Sequence, residues 1–234
     1  MASTPGTWVK TMPVSHRSSE ARPESSQDKT MEIRFHNACS AEYWKSYLLT
    51  TYETFPFQIY WRYVSPFLAR APRNSRLLEL GCGVGYFGFK IEDCQDCQIV
   101  GIDISTNQIA AADWFKRQRG YRSTFAVADI EQLPFQDGTF GAIFVLDVLH
   151  HFPELDVSVA EAARVLKNRG VFVVLEPNPV SPATLLRQAR RHLVGLRPSP
   201  NETSCGLRLR THLASSMQTA FRIVACQTIR FIPT

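Results

Sequence analysis

The sequence predicts an α/β protein built on a doubly wound, mainly parallel β-sheet. Apolar runs of strand length alternate along the chain with helix-like segments, which is the pattern of parallel strands joined by right-handed helical crossovers. A glycine-rich turn, residues 81–88, follows the first of these runs, and acidic residues stand at or beside the ends of the first three. Because open sheets of this kind bind ligands at the carboxyl ends of their strands, the sequence also predicts where the functional site lies.

Length and composition fit one globular domain with extensions. The chain has 234 residues, of which 44% are apolar, and a net charge of +5. No apolar run reaches the length of a membrane span, and the amino terminus lacks the apolar core of a signal peptide. Six scattered cysteines indicate reduced thiols and a cytoplasmic location rather than a disulfide framework. Cys94 and Cys97 form the one close pair, and no zinc ligands at suitable spacing accompany them, so we expect no metal site.

Three regions are expected along the chain. Residues 1–34 are rich in serine, threonine, proline and charge, and we predict a disordered tail there. Residues 35–234 are predicted to form a single domain. Within it we expect an aromatic helical cap over residues 35–72, a ligand-binding core over residues 76–180, and a basic helix with a terminal strand over residues 181–234.

The predicted cap is unusually aromatic. It is expected to hold two helices, near Tyr43 to Leu48 and near Phe57 to Leu68, separated by Pro56. Pro66 and Pro72 are expected to break the path into the first strand. Rings with polar tips suit a pair of helices packed on the sheet, and they equally suit a lid over an apolar ligand. Both interpretations stay open from the sequence alone.

The remaining elements follow in order along the core. The first strand, residues 76–80, runs into the glycine turn. Further strands are predicted at Gln98–Ser105, Ser123–Ile130, Ala142–Leu146 and Val171–Glu176, and helices at Tyr86–Asp93, Asn107–Arg119 and Glu154–Lys167. Residues 168–170 are predicted to turn the last helix into the last parallel strand.

The glycine turn predicts a cofactor site, and its acidic neighbours narrow the choice of cofactor. Glycines permit positive φ and let a ligand lie against the backbone and the amides of the following helix. The spacing Gly83-x-Gly85-x-x-Gly88 also satisfies the dinucleotide fingerprint, which is a weak signal alone. Glu79, just before the turn, would repel a pyrophosphate and attract a cationic cofactor. Asp103 ends the second strand, where an acid accepts hydrogen bonds from ribose hydroxyls; alternatively it caps the next helix, a role that Ser105 or its neighbour could fill instead.

From Leu77 to Pro179 the chain resembles the class I methyltransferases of small molecules that use S-adenosylmethionine. The motifs that carry the resemblance are Glu79-Leu-Gly-Cys-Gly-Val-Gly85, Gly101-Ile-Asp-Ile-Ser105, Ala128-Asp-Ile130, Leu133-Pro-Phe135, Asp147-Val-Leu-His-His-Phe152 and Val165-Leu-Lys-Asn-Arg-Gly170. The resemblance implies a Rossmann-like sheet in the strand order 3-2-1-4-5 plus a C-terminal strand. The family sheet usually ends in an antiparallel pair, whereas residues 221–232 offer room for one strand, so we expect a terminus shortened relative to the family.

The resemblance also implies roles for individual residues. The methionine portion of S-adenosylmethionine would lie over Gly81, Gly83 and Gly85. Asp103 would accept from the ribose hydroxyls, and Ile104 would contact the adenine. The remaining cofactor-binding residues implied by the resemblance are Glu79, Cys82, Asp129, Ile130 and Leu146.

Methyl transfer from a sulfonium is an in-line displacement, so the protein mainly supplies position and a dry site. An oxygen or nitrogen acceptor can also require a base. The candidate bases are His150, His151 and Glu176, with Asp147 beside them. Because the two histidines are adjacent, at most one of them can face the site if they lie on a helix.

Arginines among leucines after Pro179 suggest an apolar cover fringed by cations. This arrangement favours a lipid-like or aromatic small-molecule acceptor, with peripheral membrane contact, over a nucleic acid. The primary prediction is therefore an S-adenosylmethionine-dependent methyltransferase with an apolar or amphipathic acceptor. Two alternatives remain: a nicotinamide-dependent oxidoreductase and a non-catalytic protein that binds S-adenosylmethionine.

Overall fold

The computed structural model describes residues 30–31, 33–34, 36–53, 57–151, 155–175 and 223–226. The helices are α1 (Ala41–Thr51), α2 (Phe57–Leu68), α3 (Tyr86–Cys94), α4 (Thr106–Arg119), a 3₁₀ turn (Leu149–His151) and α5 (Leu155–Val165). The strands are β1 (Arg76–Leu80), β2 (Gln98–Asp103), β3 (Thr124–Val127), β4 (Phe140–Leu146), β5 (Leu166–Leu175) and β6 (Ile223–Cys226). Nearly all of the predicted tail, and the predicted basic helix after Pro179, lie outside the described residues.

The strands form one sheet in the order β3-β2-β1-β4-β5-β6, and every neighbouring pair is parallel. This confirms the predicted order 3-2-1-4-5 and the additional C-terminal strand. β6 pairs with β5 through Phe172 opposite Ile223 and Val174 opposite Cys226. β6 therefore runs parallel to β5. The sheet of the family that the sequence resembles usually ends in an antiparallel pair instead. In the described part of the chain, no helix is both long and apolar enough to cross a membrane.

Apolar side chains cover both faces of the sheet, as alternation along the strands requires. Leu78, Ile143 and Val145 face α5 in one cluster, and Leu77 and Phe144 face α2 and α3 in another. A third cluster joins α1 to α3 and α4. The helices of the predicted cap pack on the body of the protein through the buried residues Leu48, Phe57, Val64 and Leu68.

The boundaries differ from prediction where tertiary contacts override local signals. Pro66 lies inside α2 near its end, where the missing amide removes one helical bond without ending the helix. β5 begins at Leu166, directly after α5, because the buried Leu166 pairs with Phe140. The predicted turn at residues 168–170 lies within the bounds of β5, between the pairs Leu166–Phe140 and Val171–Ala142, and Arg169 there has a φ of 63°.

Candidate cofactor site

The glycine turn between β1 and α3 is held in a left-handed conformation. Gly81, Gly83 and Gly85 have φ values of 69°, 54° and 79°, a region that residues with a Cβ avoid. A Cβ on Gly81 would lie 2.5 Å from a methyl group of Val148, and one on Gly85 would lie 2.7 Å from the ring of Phe125. Glycine is therefore required at these two positions by packing within the protein, in addition to any ligand.

Gly83 stands apart from the other two glycines. A Cβ there would meet Gln108 Oε1 at 2.8 Å and has no other heavy atom within that distance. Its neighbour is thus the polar end of one flexible side chain rather than a packed apolar ring or methyl. The backbone at Gly83 is therefore bordered by the Gln108 side chain alone at this position, which we call the cradle.

Asp103, at the end of β2, joins the turn to the start of α4. Its Oδ2 accepts a hydrogen bond from Gly83 N at 2.8 Å, and its Oδ1 accepts one from Ser105 N at 2.8 Å. Ser105 in turn caps α4 by accepting from Gln108 N, which confirms the predicted cap. Each carboxylate oxygen keeps a lone pair for a further donor, so Asp103 can organise the turn and still accept from hydroxyl groups.

Glu79 lies under the turn rather than at its surface. The side chain is 4% exposed, and Oε2 accepts from Gly88 N in the first turn of α3 at 3.1 Å. A Cβ on Gly88 would lie 2.9 Å from that oxygen, which explains the fourth glycine of the motif. Burial raises the pKa of Glu79 well above its ordinary value, and the nearby Asp103 adds to the rise against the Gly88 hydrogen bond. Glu79 thus acts first as a buried partner of α3.

Cys82 and the residues after β3 complete the floor and one side of the site. Cys82 packs against Gly101 of β2. Burial raises the pKa of its thiol well above the ordinary value, so the thiol is not a reactive thiolate. Asp129 Oδ1 accepts from Glu131 N at 2.9 Å and closes the turn that follows β3. Ile130 is buried there and Ile104 is half-buried. All of these residues lie at the carboxyl edge of the sheet, where the sequence predicts them.

The end of β4 forms the opposite side of the site. Leu146 is half-buried, and Asp147 has a φ of 59° while its amide donates to Leu175 O at 2.8 Å. A non-glycine residue held at positive φ is often found at functional positions. Burial, followed by the charge of Asp147, raises the pKa of Tyr60 to about 12. The charge of Asp147 therefore acts on the Tyr60 hydroxyl of α2.

Of the candidate bases, the structure describes the side chains of Asp147 and His151. His151 is half-buried in the 3₁₀ turn, and its ring meets that of His36 edge-on at a centroid distance of 5.7 Å. His150 lies in the same turn with its side chain outside the description, and Glu176 lies outside the described residues.

Sequence reasoning missed a group of residues that the amino-terminal segment brings to the site. His36 Nδ1 lies 3.2 Å from Gln108 Nε2, and Asn37 contacts the start of α4. No local pattern encodes these contacts because their partners stand far apart in the chain. The adjacent polar pair His36-Asn37 just before an aromatic helix is the only signal, and it has no characteristic spacing.

A cavity of about 380 Å³ opens at the other edge of the sheet. Its lining comes from the end of α2 and the starts of β1 and β2, including Ser75, Cys97 and Gln98. It lies at the amino ends of the strands, away from the glycine turn.

The chain is similar in sequence to known methyltransferases. Residues 78–174 match the family model of the methyltransferase domain. Squalene methyltransferase 1 of Botryococcus braunii is 34% identical over 115 residues, or 48% of this chain and 30% of that protein. Sterol 24-C-methyltransferase of Schizosaccharomyces pombe is 35% identical over 44% of this chain and 28% of its own length. The 27-O-demethylrifamycin SV methyltransferase of Amycolatopsis mediterranei is 35% identical over 45% of this chain and 41% of its own.

The chain thus spans less than half the length of each of these relatives. Among solved structures, a protein from a study of disulfide conversion into a thioacetal in echinomycin biosynthesis aligns with a TM-score of 0.54. The two are 21% identical, over 66% of this chain and 65% of the other. The MccD protein aligns with a TM-score of 0.51 at 20% identity, over 67% of each chain. These two similarities support the fold. The family match and the motifs of the glycine turn support one conclusion: residues 78–174 are similar in sequence to a methyltransferase domain.

Proposed function

We propose that the protein binds S-adenosylmethionine on the glycine turn and transfers its methyl group to a small apolar or amphipathic acceptor. The observation that carries the proposal is the hydrogen bond from Gly83 N to Asp103. It makes the turn after β1 and the acid after β2 one continuous surface, with the cradle at Gly83 beside a carboxylate. That surface offers backbone to the methionine portion of the cofactor and hydrogen-bond acceptors to its ribose.

The residues present fit this cofactor. Gly83 borders only the end of one side chain within a turn that Gly81 and Gly85 shape, and Asp103 has lone pairs for two hydroxyl donors. Ile104 supplies an apolar contact for the adenine, and Asp129 supplies an acceptor for its amino group, with the Ile130 amide beside it. Cys82 lies in the floor of the site, and Glu79 supports the glycine turn from below. The backbone of Leu146 is available to the ammonium group of the methionine portion.

The bound cofactor would supply a methyl group already activated on a sulfonium. The protein then has to align the acceptor and exclude water. Where the acceptor is a hydroxyl or an amine, His151 is the described side chain best placed to take its proton, with His150, Asp147 and Glu176 as further candidates. A neutral imidazole accepts a proton near physiological pH, which suits this task.

The proposed acceptor class is lipid-like or aromatic. Tyr43 and Tyr47 on α1 remain 52% and 40% exposed, and Tyr47 contacts Tyr86 at the first position of α3, directly after the turn. An aromatic surface beside the cofactor turn suits an apolar acceptor. The relatives named for squalene and sterols agree with that class. Arg187, Arg190 and their neighbours lie outside the described residues, so their contact with an anionic part of the acceptor stays a prediction.

Calorimetric titration tests the cofactor. We expect saturable binding of S-adenosylmethionine and none of NAD; the reverse result would overturn the proposal in favour of the oxidoreductase alternative. Formation of S-adenosylhomocysteine is then measured with squalene, a sterol and a phenolic acceptor. Binding without turnover of any acceptor class would support the non-catalytic alternative.

We also propose a cytoplasmic location with peripheral membrane contact, supported by the scattered cysteines and the acceptor class. Fractionation of cells into cytosol and membranes, with a salt wash of the membranes, tests it. Retention by membranes after the wash would contradict a peripheral contact.

A further inference from the structure

Asn37 caps α4 from a distant part of the chain. Its side-chain oxygen lies 2.9 Å from Ser105 Oγ, 3.3 Å from Thr106 Oγ1 and 3.2 Å from Asn107 N. All three atoms can donate, and Asn107 N is one of the amides that a helix leaves without an internal partner at its start. Ser105 caps the next amide, that of Gln108. The start of α4 therefore has two caps, one local and one supplied by the amino-terminal segment.

The same contact is made in the opposite direction by Asn107. Its side-chain amide donates to the carbonyl oxygen of Asn37 at 3.2 Å and to that of Cys39 at 2.9 Å. The Ser105 hydroxyl, which is fully buried, also lies 3.3 Å from the carbonyl oxygen of His36. Two asparagines thus exchange hydrogen bonds across the contact. We name this set of contacts, between residues 36–39 and residues 105–107, the asparagine clasp.

The clasp adjoins the proposed cofactor contacts on both sides. Ser105 N is bound to Asp103, the residue proposed to accept from the ribose. On the other side, the clasp places His36 against Gln108 and against His151. Gln108 Oε1 in turn borders the cradle at Gly83. The contact of residues 36–39 with the start of α4 and the proposed cofactor surface therefore share neighbouring residues.

We propose that Asn37 is a positioning residue that couples the docking of residues 36–39 on the start of α4 to cofactor binding. The clasp holds His36 against Gln108, which borders the cradle, and fixes the start of α4, so that Asp103 presents its free lone pairs in one orientation. Cofactor binding in turn stabilises the docked arrangement of residues 36–39. This inference rests on the proposed function, because it assigns Asn37 a role at the same site.

The test compares Asn37→Ala with Asn37→Asp in the full chain. Aspartate keeps an oxygen that accepts from all three donors and adds a charge that suits a helix start, whereas alanine keeps none. We expect alanine to weaken S-adenosylmethionine about tenfold to a hundredfold, the effect of losing several hydrogen bonds, and aspartate to restore near wild-type affinity. Turnover should follow the same order, through KM for the cofactor more than through kcat.

Ser40→Ala is the matched control. Ser40 Oγ caps α1 by accepting from Tyr43 N at 3.2 Å and takes no part in the clasp. Its loss should lower the melting temperature while leaving the affinity for S-adenosylmethionine unchanged. Equal weakening of the cofactor by Ser40→Ala and Asn37→Ala would show a general loss of stability and overturn the proposal.

Hydrogen exchange of α1 supplies a second readout. S-adenosylmethionine should slow exchange of the α1 amides in the wild type and in Asn37→Asp, but not in Asn37→Ala. If the cofactor binds the wild type and leaves α1 exchange unchanged, the coupling is wrong while the proposed function stands. If the wild type does not bind S-adenosylmethionine at all, the proposed function fails and the coupling fails with it.

Discussion

Single residues of the glycine turn serve the protein's own packing as much as a ligand. Gly81 and Gly85 leave room for Val148 and Phe125, and Gly88 leaves room for the carboxyl of Glu79. Gly83 alone among these four borders only the end of a flexible side chain. Substitution at Gly81 or Gly85 should therefore unfold the turn, whereas Gly83 is the position where a substitution reports on the ligand.

Glu79→Gln tests the buried carboxyl. A carboxyl whose folded pKa is raised contributes most stability below its unfolded pKa of about 4.3 and loses that contribution as pH rises towards the folded pKa. Glutamine keeps the acceptor for Gly88 N without this loss, so we expect Glu79→Gln to be more stable than the wild type at pH 8 by about 1–3 kcal/mol. Urea unfolding at pH 5 and pH 8 measures the difference. An equal difference at both pH values would contradict a raised pKa.

Asp103→Ala tests the acid at the end of β2. It removes the acceptor for Gly83 N and Ser105 N as well as the proposed ribose partner, and should weaken S-adenosylmethionine by about 1.5–3 kcal/mol. Asp103→Asn is the matched variant, because it retains one acceptor oxygen and should fall between alanine and wild type. Titration calorimetry gives the three affinities, and unchanged affinity in the alanine variant would remove Asp103 from the cofactor site.

At the scale of elements, one arginine fixes the connection between β3 and β4. Arg164 on α5 donates from Nη1 to Phe135 O and Asp137 Oδ1, both at 2.8 Å, and from Nη2 to Leu133 O at 3.0 Å. It also forms a two-point contact with Glu161, whose carboxylate accepts from Leu133 N. The hydrogen bonds from Arg164, which outweigh the opposing effect of burial, lower the pKa of Glu161. One side chain thus ties the loop to the helix on the far face of the sheet.

Arg164→Lys should destabilise the protein, because lysine cannot replace the two-point contact and the carbonyl contacts together. We expect a loss of about 1–2 kcal/mol at pH 7. Since the Glu161 pKa is lowered in the folded state, the loss should shrink as pH falls through and below the ordinary carboxyl range. Arg122→Lys is the control: Arg122 is 64% exposed and pairs with an exposed Asp96. Thermal unfolding at pH 7 and pH 4 compares the two, and an equal effect of both would count against a structural role for Arg164.

The elements themselves were largely predictable, and their reasons are local. The apolar runs predict β1, β2 and β4, and Gly120 predicts the end of α4, where it adopts a φ of 74°. The start of β5 was not predictable, because Leu166 joins the strand through a long-range pairing with Phe140. The asparagine clasp was missed for the same reason. Patterns within a window of sequence report periodicity and local caps, but they do not report which distant acceptor binds an amide left unpaired at a helix start.

At the scale of the whole molecule, the proposed site draws on distant parts of the chain that meet at the carboxyl edge of the sheet. β1 and β2 supply the turn and its acid, the end of β4 supplies Asp147 and His151, and the amino-terminal segment supplies the clasp. β6 lies far from this region, at the outer side of β5. Its contribution should therefore be to the sheet edge rather than to the site.

Truncation before Ile223 tests this division. Removing β6 exposes the backbone edge of β5, and an exposed apolar strand edge pairs with other chains. We expect concentration-dependent association of the truncated protein on light scattering, with the affinity for S-adenosylmethionine unchanged in its monomeric fraction. A fully monomeric truncated protein would show that β6 does not protect that edge.

The packing of Gly81 against Val148 has a consequence for how the protein is made. A nascent chain that has emerged from the ribosome through β3 already contains the glycine turn and Asp103, but not the residue that supports Gly81 from the other side. One edge of β1 also stays open until β4 appears, since β4 is its second neighbour. Domains acquire their structure progressively during synthesis, so cofactor in the cell can assist folding of this chain only after residue 148 has emerged.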